Sequence, residues 1–326
     1  MPISCRVTRG DFTESIHVAF AVVVDGEGQT IFSTGDPHYL TCIRSSLKPF
    51  QAGAVIKSGA VDSAGFDKQE LALMCASHKG EDMHVNTALS MLNKLGLEVA
   101  DYECGSHYPS DTSTRRQMIA DKKTAQPVHN NCSGKHAGML ALAKHLGKGT
   151  KGYVKKNHPV QKVIMKYVGE LCRETNIPVE IDGCSAPTPF MTLQMIAEMF
   201  QVMASNDKPE LKRAFDAMAS HPEMVGGTNH FDSMFISALS GRGVTKVGGE
   251  SVRGIALKTD TYGPIGVAIK ILDGSFRAMP LVVMKLMEHL ELLSESEQSK
   301  LNKFRTKKMT NHNGIETGHI EAHVDF

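Results

Sequence analysis

The chain has 326 residues, 41% of them hydrophobic and 22% charged, with a formal net charge of +1. That length suits one large domain or two interlocked ones with a sizeable core, and the near-zero charge supplies no field to draw nucleic acid or an anionic membrane. Its seven cysteines are odd in number, scattered and without a Cys-x-x-Cys pair, which argues against a disulfide framework and fits a reducing compartment.

Arg6 and Arg9 near the N-terminus are followed by no long apolar run. Phe20 to Val24 has only the length of a strand and stops at Asp25-Gly26, so neither a signal peptide nor a membrane span is expected and the predicted location is cytoplasmic. Residues 16–24 read as a buried strand, 25–28 as a turn and 29–33 as a second strand, a hairpin opening. Helical spacing runs from Phe50 to Gly59, and Pro49 must fall in the first turn of that helix, which puts Ser45 and Ser46 at its entrance.

Residues 67–76 and 81–95 read as helices, 99–104 as a strand or loop, and 111–121 as helix-prone. Helices are predicted again at 137–146 and 158–173, with a short strand at 179–181, then helices at 189–204, 209–219 and 231–239. Strands near 243–248, 253–259 and 265–271, helices at 279–291 and 294–304, and a strand near 318–324 close the chain. Strands gather at the two ends and helices in the middle. The expected fold is therefore α/β: a mostly antiparallel sheet from both chain ends, flanked by helices, with a helical lobe from the middle. The whole chain, 1–326, is read as a single catalytic unit of two interlocked lobes with a site in the cleft between them.

The densest chemistry lies in His129-Asn130-Asn131-Cys132-Ser133-Gly134-Lys135-His136-Ala137-Gly138-Met139-Leu140. It reads as a polar loop ending at a helix start, with Gly134 allowing a tight turn or a close approach. His129 and His136 are candidate acid–base or orienting groups, with a capping or core role equally open. Cys132 and Cys184 each sit in a polar, glycine-bearing loop. Two thiolates from different loops plus a third donor would suit zinc, although the spacing matches no standard zinc motif.

Ser45-Ser46-Leu47-Lys48 is the sharpest mechanistic motif. Residues i and i+3 share a helix face, so Ser45 and Lys48 point together while Ser46 faces elsewhere. A serine hydroxyl becomes a useful nucleophile when a neighbouring base takes its proton, and a lysine serves when burial and nearby cations lower its pKa to roughly 7–8. Ser77, in a loop after the second helix, and Lys258-Thr259, at the end of a late strand, extend the pattern. The order S-x-x-K, loop serine, strand Lys-Thr resembles penicillin-binding proteins and serine β-lactamases. Here Asp260 replaces the glycine after Lys-Thr and the S-D-N tripeptide is missing, so antibiotic-directed chemistry is not expected.

Together these pieces resemble the Rhizobium etli-type (class 3) L-asparaginases, the asparaginase II family. The resemblance rests on Arg44-Ser45-Ser46-Leu47-Lys48-Pro49-Phe50-Gln51, Cys75-Ala76-Ser77-His78, the stretch from His129 to Leu140, Asp182-Gly183-Cys184 and Lys258, in that order along nearly the whole chain. It implies a serine β-lactamase-like α/β fold, a homodimer, and hydrolysis of L-asparagine to L-aspartate and ammonia. It also implies two Ser-Lys pairs: Ser45 as nucleophile with Lys48 as its base, and Ser77 with Lys258 to relay protons or activate water. By the same resemblance Cys132, Lys135 and Cys184 hold a zinc that supports substrate binding rather than chemistry. Arg44, Lys135, His136 and Asp182 become substrate-binding positions for the ends of asparagine. Two alternatives stay open: a glutaminase or other serine acyl-transferase on the same fold, and a non-catalytic protein that binds zinc or an amino acid.

Overall fold

The structure, a computed structural model, describes residues 2–324. In chain order the strands are β1 (Ile3–Arg9), β2 (Phe12–Val24), β3 (Thr30–Thr34), β4 (Leu40–Cys42), β5 (Val179–Ile181), β6 (Pro187–Thr192), β7 (Gly243–Gly248), β8 (Val252–Thr259), β9 (Gly263–Ile271), β10 (Thr306–Thr310) and β11 (Glu316–Val324). The helices are α1 (Lys48–Lys57), α2 (Ala60–Ala64), α3 (Lys68–Met74), α4 (Asp82–Leu95), α5 (Thr112–Ala120), α6 (Ser133–His145) and α7 (Pro159–Cys172). They continue as α8 (Leu193–Ser205), α9 (Pro209–Ser220), α10 (Pro222–Gly226), α11 (Phe231–Leu239), α12 (Met279–His289) and α13 (Glu295–Leu301). The chain divides into two compact units, one of Met1–Ile43, Met191–Ser205 and Ala238–Phe326, the other of Arg44–Phe190 and Asn206–Ser237.

The first unit holds an antiparallel sheet in the order β10-β11-β1-β2-β9-β8-β7, with β3 also paired to β2. Both chain ends enter it, as the sequence predicts. Its central strands β8 and β9 are buried from Val252 to Leu257 and from Ile265 to Ile271 and are apolar there except for Arg253 and Lys270. Helix α8 lies directly on these strands. A Cβ on Gly266 would come 1.9 Å from the Ala197 carbonyl oxygen, and one on Gly254 1.8 Å from the Phe200 ring, so glycine at both positions permits the approach. Lys258 stands near the end of β8. Its backbone N–H donates to Arg242 O at 2.9 Å, and its own carbonyl accepts from Arg242 Nη1 at 2.8 Å.

Strands β1, β4, β6 and β10 depart from the sequence expectation, β4 being a three-residue strand in the segment read as a loop. Strand β1 carries a legible signal, since Ile3, Cys5 and Val7 alternate inward. Strand β10 carries none: Thr306, Lys307 and Lys308 are exposed, and a polar edge strand held by a neighbour has no apolar face to read. Residues 189–192, the start of the helix predicted over 189–204, belong instead to strand β6 (Pro187–Thr192), and α8 begins at Leu193. Pro187 and Pro189 disfavour a helix for the residues before them.

The second unit is helical apart from β5 and β6, whose antiparallel register pairs Val179 with Pro189 and Ile181 with Pro187. At its centre lie α1, buried from Lys48 to Ile56, and α6, buried from Ser133 to Ala143. Their middles, Ala52 to Ile56 and Ala137 to Ala143, are small or apolar on every face, as a helix enclosed on all sides must be. The buried polar chemistry of each gathers at its start, Lys48 and Gln51 in α1 and Ser133, Lys135 and His136 in α6, while Lys57, Lys144 and His145 close the far ends. No helix among the described residues is long and apolar enough to cross a membrane.

Candidate active site

The entrance to α1 is a short 3-10 turn, Arg44–Leu47, and Pro49 lies in the first turn of the helix, as predicted. Ser45 is half-buried on that turn, and Lys48 follows as the first residue of α1 with 1% exposure. A buried ammonium needs all three of its N–H groups matched. Lys48 Nζ lies 2.5 Å from Ala76 O, 3.0 Å from Ser77 Oγ and 3.2 Å from Asn131 O. None of the three bonds goes to Ser45. The structure thus joins Lys48 to Ser77, whereas i, i+3 spacing alone pairs it with Ser45. The two carbonyls fix two amine protons, and the third tetrahedral direction faces the Ser77 hydroxyl. A neutral amine in this setting would present its lone pair to Ser77 and accept that serine's proton.

Ser77 belongs to the segment after α3. Its backbone N–H donates to Val225 O at 3.0 Å, and the following His78 is 1% exposed. Gly134 explains why this segment meets the start of α6. A Cβ there would stand 2.3 Å from Leu73 O, so the glycine serves close approach, the second of its two predicted uses, rather than a tight turn.

The thiols form the second cluster. Cys132 directly precedes α6, and Cys184 sits in the β5–β6 turn, closed by Asp182 N to Ala186 O at 2.9 Å with Ser185 at φ +71°. Lys135 Nζ donates to Cys184 Sγ at 2.9 Å, and all three side chains are buried. A hydrogen bond from Cys184, aided by the charges of Lys48 and Lys135, holds the Cys132 thiol well below its ordinary range against the penalty of burial. Donating that bond, together with burial, raises Cys184. Burial lowers Lys135, but the two thiols outweigh it and hold its pKa above the ordinary value, as an ammonium. Cys132 Sγ also lies 3.2 Å from Asn131 Oδ1, a contact that suits a thiol proton. Turning that amide over offers an N–H to a thiolate instead, and the nearby Lys135 ammonium favours this form.

His136 is fully buried. Tyr153 OH accepts from Glu103 N at 2.9 Å, so its own proton goes to His136 Nδ1, 2.7 Å away. The imidazole proton therefore resides on Nε2, which faces Cys184 without an aligned hydrogen bond. Burial lowers His136 to about 4, so the ring is neutral. Arg44, at φ +51°, places Nε 2.8 Å from Asp182 Oδ1; these two proposed grips hold each other. His129 Nδ1 accepts from Gln126 N at 2.9 Å, the capping alternative of its two readings. Sequence reasoning missed the carbonyls of Ala76 and Asn131 and the ring of Tyr153, because neither a main-chain oxygen nor a tyrosine 17 positions past His136 leaves a motif.

Among the described residues no group of three or more His, Cys, Asp or Glu side chains is placed to hold a metal ion. The set expected here contains two such residues and a lysine.

A family model described as L-asparaginase II matches residues 5–322. No curated protein sequence matches the chain. Solved structures similar to it include a β-lactamase from Burkholderia ambifaria, 13% identical over 78% of this chain and 84% of that one, with a TM-score of 0.40. Mglu in its native form is 11% identical over 85% of this chain and 65% of its own, with a TM-score of 0.39. A chromosome-encoded β-lactamase mutant of Vibrio parahaemolyticus is 11% identical over 89% and 92%, with a TM-score of 0.37.

Proposed function

Since this chain belongs to the L-asparaginase II family, we propose that it is an L-asparagine amidohydrolase of the Rhizobium etli type, releasing L-aspartate and ammonia. The observation that carries the reading is the buried Lys48 amine held 3.0 Å from the Ser77 hydroxyl, one turn past Ser45. Ser45 Oγ adds to the side-chain carbonyl of asparagine, and neutral Lys48 accepts its proton. The Ser77 hydroxyl passes a proton to the departing nitrogen, so ammonia leaves rather than an amide anion. Water then cleaves the aspartyl ester on Ser45, giving aspartate and the free serine. Arg44 and Asp182 part to grip the α-carboxylate and α-amine, with Lys135 and His136 completing the binding side. Lys258 joins the proton relay on the resemblance to that type. A cytoplasmic homodimer belongs to the same reading.

Ammonia release from asparagine and glutamine, side by side with wild-type protein, tests this. Turnover of asparagine with at most a small fraction of that rate on glutamine is the expected result. Faster glutamine turnover would transfer the assignment to a glutaminase, and no turnover of either would leave a binding protein.

Zinc belongs to the proposal on the chemistry of its donors. The Lys135 amine lies 2.9 Å from Cys184 Sγ, Cys184 in turn bonds Cys132, and Cys132 is already disposed to ionise. Cys132, Lys135 and Cys184 would hold the ion, with Lys135 giving up a proton to do so. Bound there, zinc would supply a cationic contact for the polar end of the substrate. Cys132→Ser and Cys184→Ser are each expected to lower zinc content at least tenfold by elemental analysis and to raise KM for asparagine more than they lower kcat. Wild-type zinc content in both variants would remove the ligand set.

One observation favours a second reading of the nucleophile. The base is bonded to Ser77 and not to Ser45. On that reading Ser77 carries the acyl group and Ser45 donates to the leaving nitrogen.

A further inference from the structure

Lys48 is gripped by carbonyls of two different segments: Ala76 O, just before Ser77, and Asn131 O, just before Cys132. Two residues further along each segment stand His78 and Ser133, and their side chains bond directly, His78 Nε2 to Ser133 Oγ at 2.9 Å. The segments are thus joined by two rungs, one through the lysine and one through this bond. We propose that His78 is a positioning residue for the catalytic lysine: by donating to Ser133 it fixes the gap between Ala76 O and Asn131 O, so that one amine reaches both and Ser77. The inference rests on the reading of Lys48 as base.

The direction of the rung follows from the neighbours of the ring. Gly80 N–H donates to His78 Nδ1 at 3.1 Å, so the ring proton must lie on Nε2, pointing at Ser133. His84 stacks on the face of the ring, with ring centroids 4.9 Å apart and planes 13° from parallel. His84 is itself held by its Nε2–H donating to Glu223 O at 3.1 Å. Burial, followed by the charges of His84 and Lys48, keeps His78 well below the ordinary histidine range. A neutral ring so held has one tautomer and one orientation. His78 is 1% exposed and Ser133 is fully buried, so no water replaces a lost partner at low cost. Ser133 has no part in substrate binding or metal ligation in the proposed mechanism.

The test compares the wild-type protein with Ser133→Ala, His78→Phe and His78→Gln. Two readouts are taken: kcat and KM for asparagine, and the rate of covalent labelling by a serine-reactive fluorophosphonate, which needs no knowledge of the substrate. Ser133→Ala is expected to lower kcat roughly tenfold with KM held within about twofold, since a misplaced base slows the chemical step without touching substrate. His78→Phe keeps the bulk and loses both hydrogen bonds, so it falls at least as far. His78→Gln presents an N–H at similar reach and recovers most of the lost kcat. The double variant His78→Phe with Ser133→Ala is no slower than His78→Phe alone, as expected of two ends of one bond. Labelling slows in the same order.

Wild-type kcat in Ser133→Ala, losses that multiply in the double variant, or a glutamine variant no better than the phenylalanine one would each overturn the proposal. A wild-type protein inert toward asparagine whose labelling still slows tenfold in Ser133→Ala would overturn the substrate and leave the brace standing. Labelling equal across all variants would overturn the brace whatever the substrate.

Discussion

Ser45→Ala is expected to reduce kcat for asparagine by about 10⁴-fold or more, the scale on which removing a nucleophile leaves only binding and electrostatic contributions. Ser77→Ala is expected to fall by roughly 10²–10⁴-fold, the range of one proton-transfer step. Neither change should threaten the fold. Ser45 is only half-buried on its 3-10 turn, and Lys48 keeps two carbonyl partners when Ser77 loses its hydroxyl. Stability should therefore shift by no more than about 1 kcal/mol in either variant. Because both losses are large, rates alone do not identify the nucleophile. Rapid acid quench during turnover, followed by peptide mass analysis, does so: the aspartyl adduct is expected on the peptide containing Ser45. An adduct on Ser77 that survives Ser45→Ala would establish the second reading. Full activity in Ser45→Ala with no adduct on either serine would end the Ser-Lys mechanism.

The contrast between these serines shows what the sequence carried and what it did not. Helical spacing correctly put Ser45, Lys48 and Pro49 at one helix entrance, because that geometry is local and set by backbone periodicity. The same spacing says nothing of what else competes for the amine. Lys48 is buried, and a buried ammonium takes the nearest set of acceptors, two of which are main-chain carbonyls from residues 28 and 83 positions away. Such acceptors have no residue type and so no signature. The thiol loops were legible for the opposite reason. A cysteine in a polar, glycine-bearing turn departs from the usual buried hydrophobe, and Cys132 and Cys184 do share one lysine neighbourhood. The fold followed the same division. The apolar strands at 16–24, 253–259 and 265–271 and the enclosed helices in the middle announced themselves, whereas β10, exposed everywhere but at Met309, is held by the ladder β11 offers.

Lys48→Met should abolish ammonia release, with kcat down by about 10⁴-fold, while the protein stays folded. The two halves of that expectation have separate causes. Methionine matches the length of the stem but has no proton acceptor of useful basicity, so the serine keeps its proton. For stability, the loss leaves Ala76 O and Asn131 O without a donor, at roughly 1–3 kcal/mol for a buried unpaired polar group. Against this, the ammonium no longer has to be stripped of water, and replacing a buried charge with an apolar side chain of similar volume is often neutral or better. The net change in urea unfolding should stay within about 2 kcal/mol, against the complete loss of turnover. Lys48→Arg separates charge from basicity. Its guanidinium restores donors to both carbonyls and remains protonated at any accessible pH, so it cannot act as a base. If the role of Lys48 is to take a proton, the arginine variant is as inactive as the methionine one. If its role is only to supply positive charge, the arginine variant regains most of the activity, and kcat for that one variant decides between the two.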